Sequence, residues 1–450
     1  MKEQEKEWNF SRRDFIGAAV AATALAACAA PSVESKKLGD KMEPGPKIAP
    51  DGPVLKAGLV GCGGRGTGAA LNFLQAGPSL ELVALADVFE DRIESCRERL
   101  KAKKTGSHEL TRADAKVEVP DDKCFVGFDA YQKLIDSGVD IVLLATPPHF
   151  RPEHFEAAIA ARKHVFMEKP VAVDPVGVGS IIKTAEKADA FGLSVATGTQ
   201  RRHSRSCIET YNRIVDGAIG DIVAARCYSL RRQLWYKLRE KGWSDMENMI
   251  RDWVNWTWLS GDFIVEQHIH GLDTINWFTN SRPVKGVGMG GRMRRVTGDQ
   301  YDFFDVDFEM ENGVHVHSMS RQMNGCANNI SRWVIGTKGF SDCEGKIFSL
   351  DGKVVWEYGS EKNKEDNSPY VQEHIDLVTA IRTGERINEA VNTAISTLTA
   401  VMARVSAYTG LEVTWDELKQ SDMRLGPKEY AMGPVPIEAS VPVPGTVGRA

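Results

Sequence analysis

Three clusters in this 450-residue chain bring together side chains that do chemistry. The first is Gly61-Cys62-Gly63-Gly64-Arg65-Gly66, with Asp87 some twenty residues further on. Glycines without a Cβ let backbone N–H groups approach a pyrophosphate at a helix N-terminus, and an acid at that spacing accepts from ribose hydroxyls. The pattern points to a dinucleotide. Asp87 would repel a 2′-phosphate, which favours NAD, while Arg65 and Arg92 leave NADP open. The second cluster is Glu168-Lys169-Pro170. A lysine at the end of a buried strand has its charged form disfavoured by desolvation, so it could pass a proton near neutral pH. The competing reading is a surface salt bridge from Lys169 to Glu168. The third cluster holds Glu266, His268, His270 and Asp273. Glu266, His270 and Asp273 stand at i, i+4 and i+7, one face of a helix. Histidine is the commonest general acid–base, so His270 is the candidate, against a histidine packed at a domain interface.

These residues need elements to hold them. Apolar runs predict strands at 54–60, 82–86, 140–145, 164–167 and 193–196, with helical patterns after the glycines and at 152–161 and 174–188. Alternation of this kind builds a doubly wound parallel sheet of Rossmann type, which binds ligands beyond the carboxyl ends of its strands. Thr146-Pro147-Pro148-His149, Glu168–Pro170 and Gly198-Thr199-Gln200-Arg201-Arg202 all follow such ends. Thr146, Pro148, His149, Glu168 and Gln200 are therefore expected on the cofactor, and Arg201 on the substrate. The polar stretch 101–123 reads as a surface insertion. In the second half, strand patterns at 222–230, 284–288, 303–310, 314–319 and 333–335 follow one another without helices between them. That implies an α+β domain with an open, mainly antiparallel sheet. Helical patterns follow at 371–382 and 390–408. The expected boundaries are 54–200 for the nucleotide domain, 201–410 for the substrate and oligomerisation domain, and 411–450 for an extended, proline-rich tail.

Composition narrows the partners. Fifty-six Lys+Arg against 61 Asp+Glu give a net charge of −5, and no long basic block is present, which argues against nucleic acid. At the front, Ser11-Arg12-Arg13-Asp14-Phe15 matches a twin-arginine export pattern. The apolar run Gly17–Ala27 is too short for a membrane span, which takes about 20 residues. It ends in Leu25-Ala26-Ala27-Cys28, a lipobox pattern, so membrane contact is expected only through a lipid on Cys28. Residues 29–53 read as a tether. Eight cysteines with no CxxC pair suggest buried thiols, with neither a disulfide framework nor a zinc ribbon.

The chain resembles the Gfo/Idh/MocA oxidoreductases, the family of glucose–fructose oxidoreductase and inositol dehydrogenase. The match is carried over 54–410 by the early GxGxxG, the Thr146-Pro147 motif and above all Glu168-Lys169-Pro170. The resemblance implies that Glu168 and Lys169 lie beside the nicotinamide and that Lys169 contacts the hydroxyl being oxidised. It also aligns a family Asp-x-x-x-His-x-x-Asp pattern with Glu266, His270 and Asp273, Glu266 replacing the first Asp and His268 a usual Gly. The implied catalytic set is Lys169, His270 and Glu266, with Arg201, His268, Asp273 and Trp258 on the substrate. The implied reaction is oxidation of a ring hydroxyl of a sugar, cyclitol or glycoside by tightly held NAD in the cell envelope. The implied assembly is a homo-oligomer.

Other readings remain open. A redox-neutral, NAD-dependent glycoside hydrolase of family 109 type would oxidise, eliminate, hydrate and reduce. A two-substrate cycle like that of glucose–fructose oxidoreductase needs no external acceptor, and a lipid-anchored sugar-binding protein needs no catalysis. The HxH pairs His268/His270 and His315/His317 could hold zinc, although no cysteine pair supports them and no metal is expected. Trp235, Tyr236, Trp243, Trp253, Trp256 and Trp258 either line a sugar pocket or form core, and Arg231, Arg232 and Arg251 nearby either hydrogen-bond substrate hydroxyls or a carboxylate or form a solvated face.

Overall fold

Ile141–Leu144 is buried at every position, the signature of a strand covered on both faces. In the computed structural model it sits near the middle of a six-stranded parallel sheet. The structure describes residues 38–446 apart from 118, 360–365 and 438, so the export and lipidation patterns at 11–28 lie outside the described residues. The strands are β1 (Leu55–Val60), β2 (Leu80–Asp87), β3 (Cys124–Val126), β4 (Ile141–Leu144), β5 (His164–Met167) and β6 (Val195–Thr197). Their spatial order is β3-β2-β1-β4-β5-β6, so the chain reverses direction across the sheet between β1 and β4. A doubly wound sheet binds its ligand at such a reversal. The sequence pattern misses β3, whose three residues are only half-buried or exposed and close a polar stretch. That stretch is not merely an exposed insertion, because Leu110 and Val119 are buried in the same core as α1 (Gly64–Gln75).

The second sheet has nine strands: β7 (Ile222–Arg231), β8 (Pro283–Gly291), β9 (Phe303–Met310), β10 (His315–Gln322), β11 (Asn329–Gly336), β12 (Gly339–Ser341), β13 (Lys346–Ser349), β14 (Val354–Glu357) and β15 (Val413–Thr414). Their order is β14-β13-β12-β11-β7-β10-β9-β8-β15. Every pairing is antiparallel except β7 with β10. Along β9 and β10 every second residue is buried, so one face packs on helices while the other is open.

Three expectations on organisation need correction. Residues 38–53 are not a loose tether. The backbone carbonyls of Met42, Gly45, Pro46 and Pro50 accept from Asn212, Arg205, Gln372 and Arg382, and Ala49 is buried. The helix Pro369–Thr383, expected in the second domain, buries Ile375, Leu377 and Val378 in the nucleotide-domain core. The tail is not simply extended. It adds β15 to the second sheet, and Trp415–Gln420 forms a helix whose first turn is closed by a Thr414–Glu417 capping box.

Candidate active site

The glycine loop is shaped by contacts that exclude a side chain. Gly61 has φ +98°, and a Cβ there would lie 2.7 Å from the Ala145 carbonyl carbon. A Cβ on Gly66 would strike the Gly61 carbonyl oxygen, whereas one on Gly63 would meet nothing within 4 Å. Helix α1 starts at Gly64 with no side-chain cap, leaving its first N–H groups for a ligand. These glycines line a cavity of about 510 Å³, together with Asp87, Arg92 and Thr146. Asp87 accepts from the backbone N–H of Cys62 at 2.7 Å and of Phe89 at 3.0 Å, which fixes its carboxylate at the end of β2. Burial pushes its pKa up, against the pull of those two bonds and of Arg92. The far wall comes from the other domain, as Trp235, Tyr236 and Trp253.

Beyond β5 stands an ionic chain. Arg65 donates to Glu168 and, at 3.2 Å, to Glu373, and its guanidinium lies 5.0 Å over the Tyr370 ring. Glu168 fits there because a Cβ on Gly198 would collide with it. Lys169, only 9% exposed, turns the other way. Its Nζ donates to Glu266 Oε1 at 2.8 Å and to the Glu266 backbone carbonyl at 2.5 Å. The lysine is therefore paired with Glu266, across the domain junction, and not with its sequence neighbour. That pair holds Glu266 below the usual carboxylate range despite its burial.

A second cavity, of about 300 Å³, is lined by Gln200, Arg201, Arg231, His268, His270 and Arg332, with Tyr228 and Tyr370. Burial, with Lys169 and three arginines nearby, drives His270 well below its ordinary pKa, so its imidazole is neutral at pH 7. His268 is pushed down to about 3 by burial and gives or takes a hydrogen bond with Ser318 at 2.8 Å.

Several expected site residues go elsewhere. The helix breaks at Gln267, between Phe263–Glu266 and Ile269–Thr279, so Glu266, His270 and Asp273 do not share one continuous face. Asp273 is buried and accepts from Arg202 at 3.0 Å and Ser396 at 2.8 Å, which makes it a structural clasp. Trp258 is core, packed edge-on to His149 at 5.0 Å and lining neither cavity. Pro148 is buried away from both cavities, and His149 is engaged by the Tyr430 hydroxyl at 2.7 Å. Gln200 lines the second cavity rather than the first, with its amide on Tyr370 at 3.2 Å. His315 and His317 sit on the open sheet face, each 2.8 Å from an aspartate, Asp307 and Asp305. Among the described residues no group of three His, Cys, Asp or Glu is placed to hold a metal. The seven described cysteines are free, five of them buried and Cys124 and Cys326 half-buried.

Residues 55–197 match the Gfo/Idh/MocA oxidoreductase family, NAD-binding Rossmann fold, and residues 209–341 match the Gfo/Idh/MocA C-terminal domain. The chain belongs to this family. Among curated relatives of this Gfo/Idh/MocA protein, the myo-inositol 2-dehydrogenase of Thermotoga maritima is 28% identical over 37% of the chain and 42% of its own length. A glycosyl hydrolase family 109 protein of Streptomyces coelicolor is 26% identical over 47% and 43%. The chain thus spans less than half of either relative. In fold it is similar to scyllo-inositol dehydrogenase from Lactobacillus casei, solved with NAD(H) and scyllo-inositol: TM-score 0.57, 19% identity, covering 80% of this chain and 99% of that one.

Sequence reasoning missed part of this Gfo/Idh/MocA site. Arg332 and Tyr228 come from β11 and β7, and Tyr370 from the start of a helix far along the chain. None belongs to a motif. The one available signal was Arg332 in a strand whose alternate positions are buried, a place where a charge needs a reason. The tryptophan cluster divides: Trp235, Tyr236 and Trp253 line the nucleotide cavity, and Trp256 and Trp258 are core.

Proposed function

We propose that this protein oxidises, or reversibly reduces, a ring hydroxyl of a sugar or cyclitol, using NAD. The observation that carries the reading is the Lys169–Glu266 pair, set beside a neutral His270 and reached by the Arg65–Glu168 link from the nucleotide cavity. The cofactor fits the chain. Gly61, Gly63, Gly64 and the uncapped helix would hold the pyrophosphate, and Asp87 the ribose hydroxyls, while Arg65 is already committed to Glu168 and Glu373. Bound NAD supplies the hydride acceptor.

The residues then divide the work on the hydroxyl. An ammonium group has three N–H donors, and two of those on Lys169 are taken by Glu266. The third is left for a substrate oxygen, where it stabilises negative charge as that develops. The neutral His270 accepts the hydroxyl proton. Glu266 fixes the lysine rather than touching the proton itself. This assignment replaces the expectation that Lys169 itself shuttles the proton.

Replacing Lys169 by Met should leave nucleotide retention intact and lower turnover by about 10²–10⁴-fold. Turnover within tenfold of the parent would remove Lys169 from the mechanism. NMR in D2O with sugars and glycosides sets this reading against a redox-neutral hydrolase. Ketone no more abundant than enzyme, absent an added acceptor, supports oxidation; many turnovers of released sugar, with deuterium beside the reacting carbon, would replace it by hydrolysis.

Twin-arginine export, with a lipid on Cys28, is part of the proposal and rests on the sequence of residues 11–28 alone. Cys28→Ser should move the protein from the membrane to the soluble fraction. Homo-oligomer formation through the open sheet face is supported by exposed Val287 and Met289.

A further inference from the structure

We propose that the second cavity selects a sugar bearing a carboxylate, with a hexuronic acid as the simplest member, and that Arg201, Arg231 and Arg332 form its anion subsite. The proposal deepens the oxidoreductase reading, on which the role of the His270 wall rests; the charge argument does not depend on it.

Three guanidinium groups line a cavity of about 300 Å³ that has no Asp or Glu on its wall. Among the described residues the one carboxylate at ion-pair distance from any of them is Glu344, whose Oε1 is shared between Arg201, at 3.1 Å, and Arg332. Arg231 donates only to the neutral amide of Gln267, at 2.8 Å, and has no carboxylate within ion-pair distance among the described residues. The Nε groups of Arg231 and Arg332 are buried without a partner, and Arg332 as a whole is 3% exposed. Lys169 adds no excess, being matched by Glu266.

Enclosed arginines elsewhere either pair with carboxylates or stand singly, as Arg151 and Arg404 do, each buried and donating to backbone carbonyls alone. Arg202 grips Asp273, Arg65 reaches Glu168 and Glu373, and Arg251 spans Asp91 and Glu247. A cation taken from water without a partner is costly, so three on one wall with a single shared carboxylate indicate that negative charge arrives with the ligand. Burial lowers the pKa of both Arg231 and Arg332, in keeping with that deficit. A neutral polyol has no use for the surplus, since the unpartnered Oε1 of Gln200 and the Tyr370 hydroxyl already offer hydrogen bonds to hydroxyls. A carboxylate matches the two-pronged guanidinium fork. The cavity lies at the small end of ligand pockets, which run from about 300 to 1,000 Å³, so it suits one ring and its acid group.

The test is calorimetric titration of the purified full chain, with its nucleotide, using glucuronate, galacturonate, the parent hexoses and the hexose 6-phosphates. At least one uronate should bind tenfold or more tighter than its parent hexose, and Arg231→Gln and Arg332→Gln should each weaken the uronate at least tenfold more than they weaken the hexose. Arg332→Gln removes a partner of Glu344 and could disturb folding; Arg231→Gln, whose partner is a neutral amide, carries the test alone in that event. Equal binding of uronate and hexose, failure of every uronate to bind, or preference for the phosphates would overturn the carboxylate assignment. Absorbance at 340 nm reads the parent proposal separately. Arginine-dependent uronate binding without any nucleotide reduction would leave the subsite standing and sink the oxidoreductase, and efficient oxidation of neutral sugars would do the reverse.

Discussion

Lys169 commits two donors to a single residue, Glu266, which in the proposed reaction leaves the proton to another neighbour. In the proposed reaction His270, kept neutral by burial and by the cations around it, serves as the base. The sign follows directly. Its folded pKa lies below 6.5, so it stays competent as pH falls to that value and is lost only further down. The acid limb of kcat/KM should therefore lie below pH 6.5, and His270→Asn should lower kcat/KM by about 10²–10⁴-fold. A carboxylate bound among Arg201, Arg231 and Arg332 would offset their effect on His270, so the acid limb of kcat should sit at higher pH than that of kcat/KM. Asp87 lines the nucleotide cavity, where the proposed reading sets it on the ribose hydroxyls. Asp87→Ser should weaken NAD binding about tenfold and narrow its margin over NADP, because Arg92 lines the same cavity. Titration of both nucleotides by fluorescence measures it.

The element that most changes the reading of this chain is the segment 232–258. It leaves the second sheet after β7 and lays Trp235, Tyr236 and Trp253 on the nucleotide cavity of the other domain. It is pinned by Arg251, which bonds Asp91 at 2.8 Å and 3.0 Å and lies 3.9 Å over the Phe89 ring. Within the segment, Asp252 accepts from the Lys237 N–H at 2.7 Å and Asn255 donates to the Trp235 carbonyl at 3.3 Å. A strap in that position should slow nucleotide escape. Arg251→Ala should raise the nucleotide dissociation rate several-fold and, because Arg251 is enclosed and packs on Phe89, also lower the melting temperature. Stopped-flow release of bound NADH reads it. Helix periodicity, by contrast, misled at 266–273. Spacing predicts one face, but the chain breaks at Gln267, and Asp273 goes to Arg202 instead.

At the scale of the molecule, the two domains share a core. The helix Pro369–Thr383 closes the nucleotide domain from the far end of the sequence, and Leu425 and Tyr430 of the tail reach Asp174 and His149. Around that junction several histidines are buried neutral, with His149 pushed down to about 4 and His154 and His268 to about 3. Each has a folded pKa below its unfolded value of about 6.5, so the stability it contributes is full above pH 6.5 and is lost as pH falls toward 4. Asp262, raised to about 6 by burial, acts in the opposite sense, its contribution being lost as pH rises through 6. Asp87, Asp252, Asp299 and Glu373 are raised in the same sense as Asp262, while His108, His164, His270 and His374 are lowered like the three imidazoles. The histidines are the larger group, so the melting temperature should drop between pH 6.5 and 4. His154→Phe keeps the stacking on Tyr131, 4.1 Å away, and should flatten that drop in a thermal-shift series. The sequence by itself determined the parallel sheet, the glycine loop, Asp87 and Lys169, because each depends on backbone contacts or strand ends that local residue order dictates. Only the tertiary structure decided that Lys169 pairs with Glu266, that the tryptophans divide between cavity and core, and that Arg201, Arg231 and Arg332 meet. Those are meetings of side chains from separate elements, and no spacing along the chain encodes them.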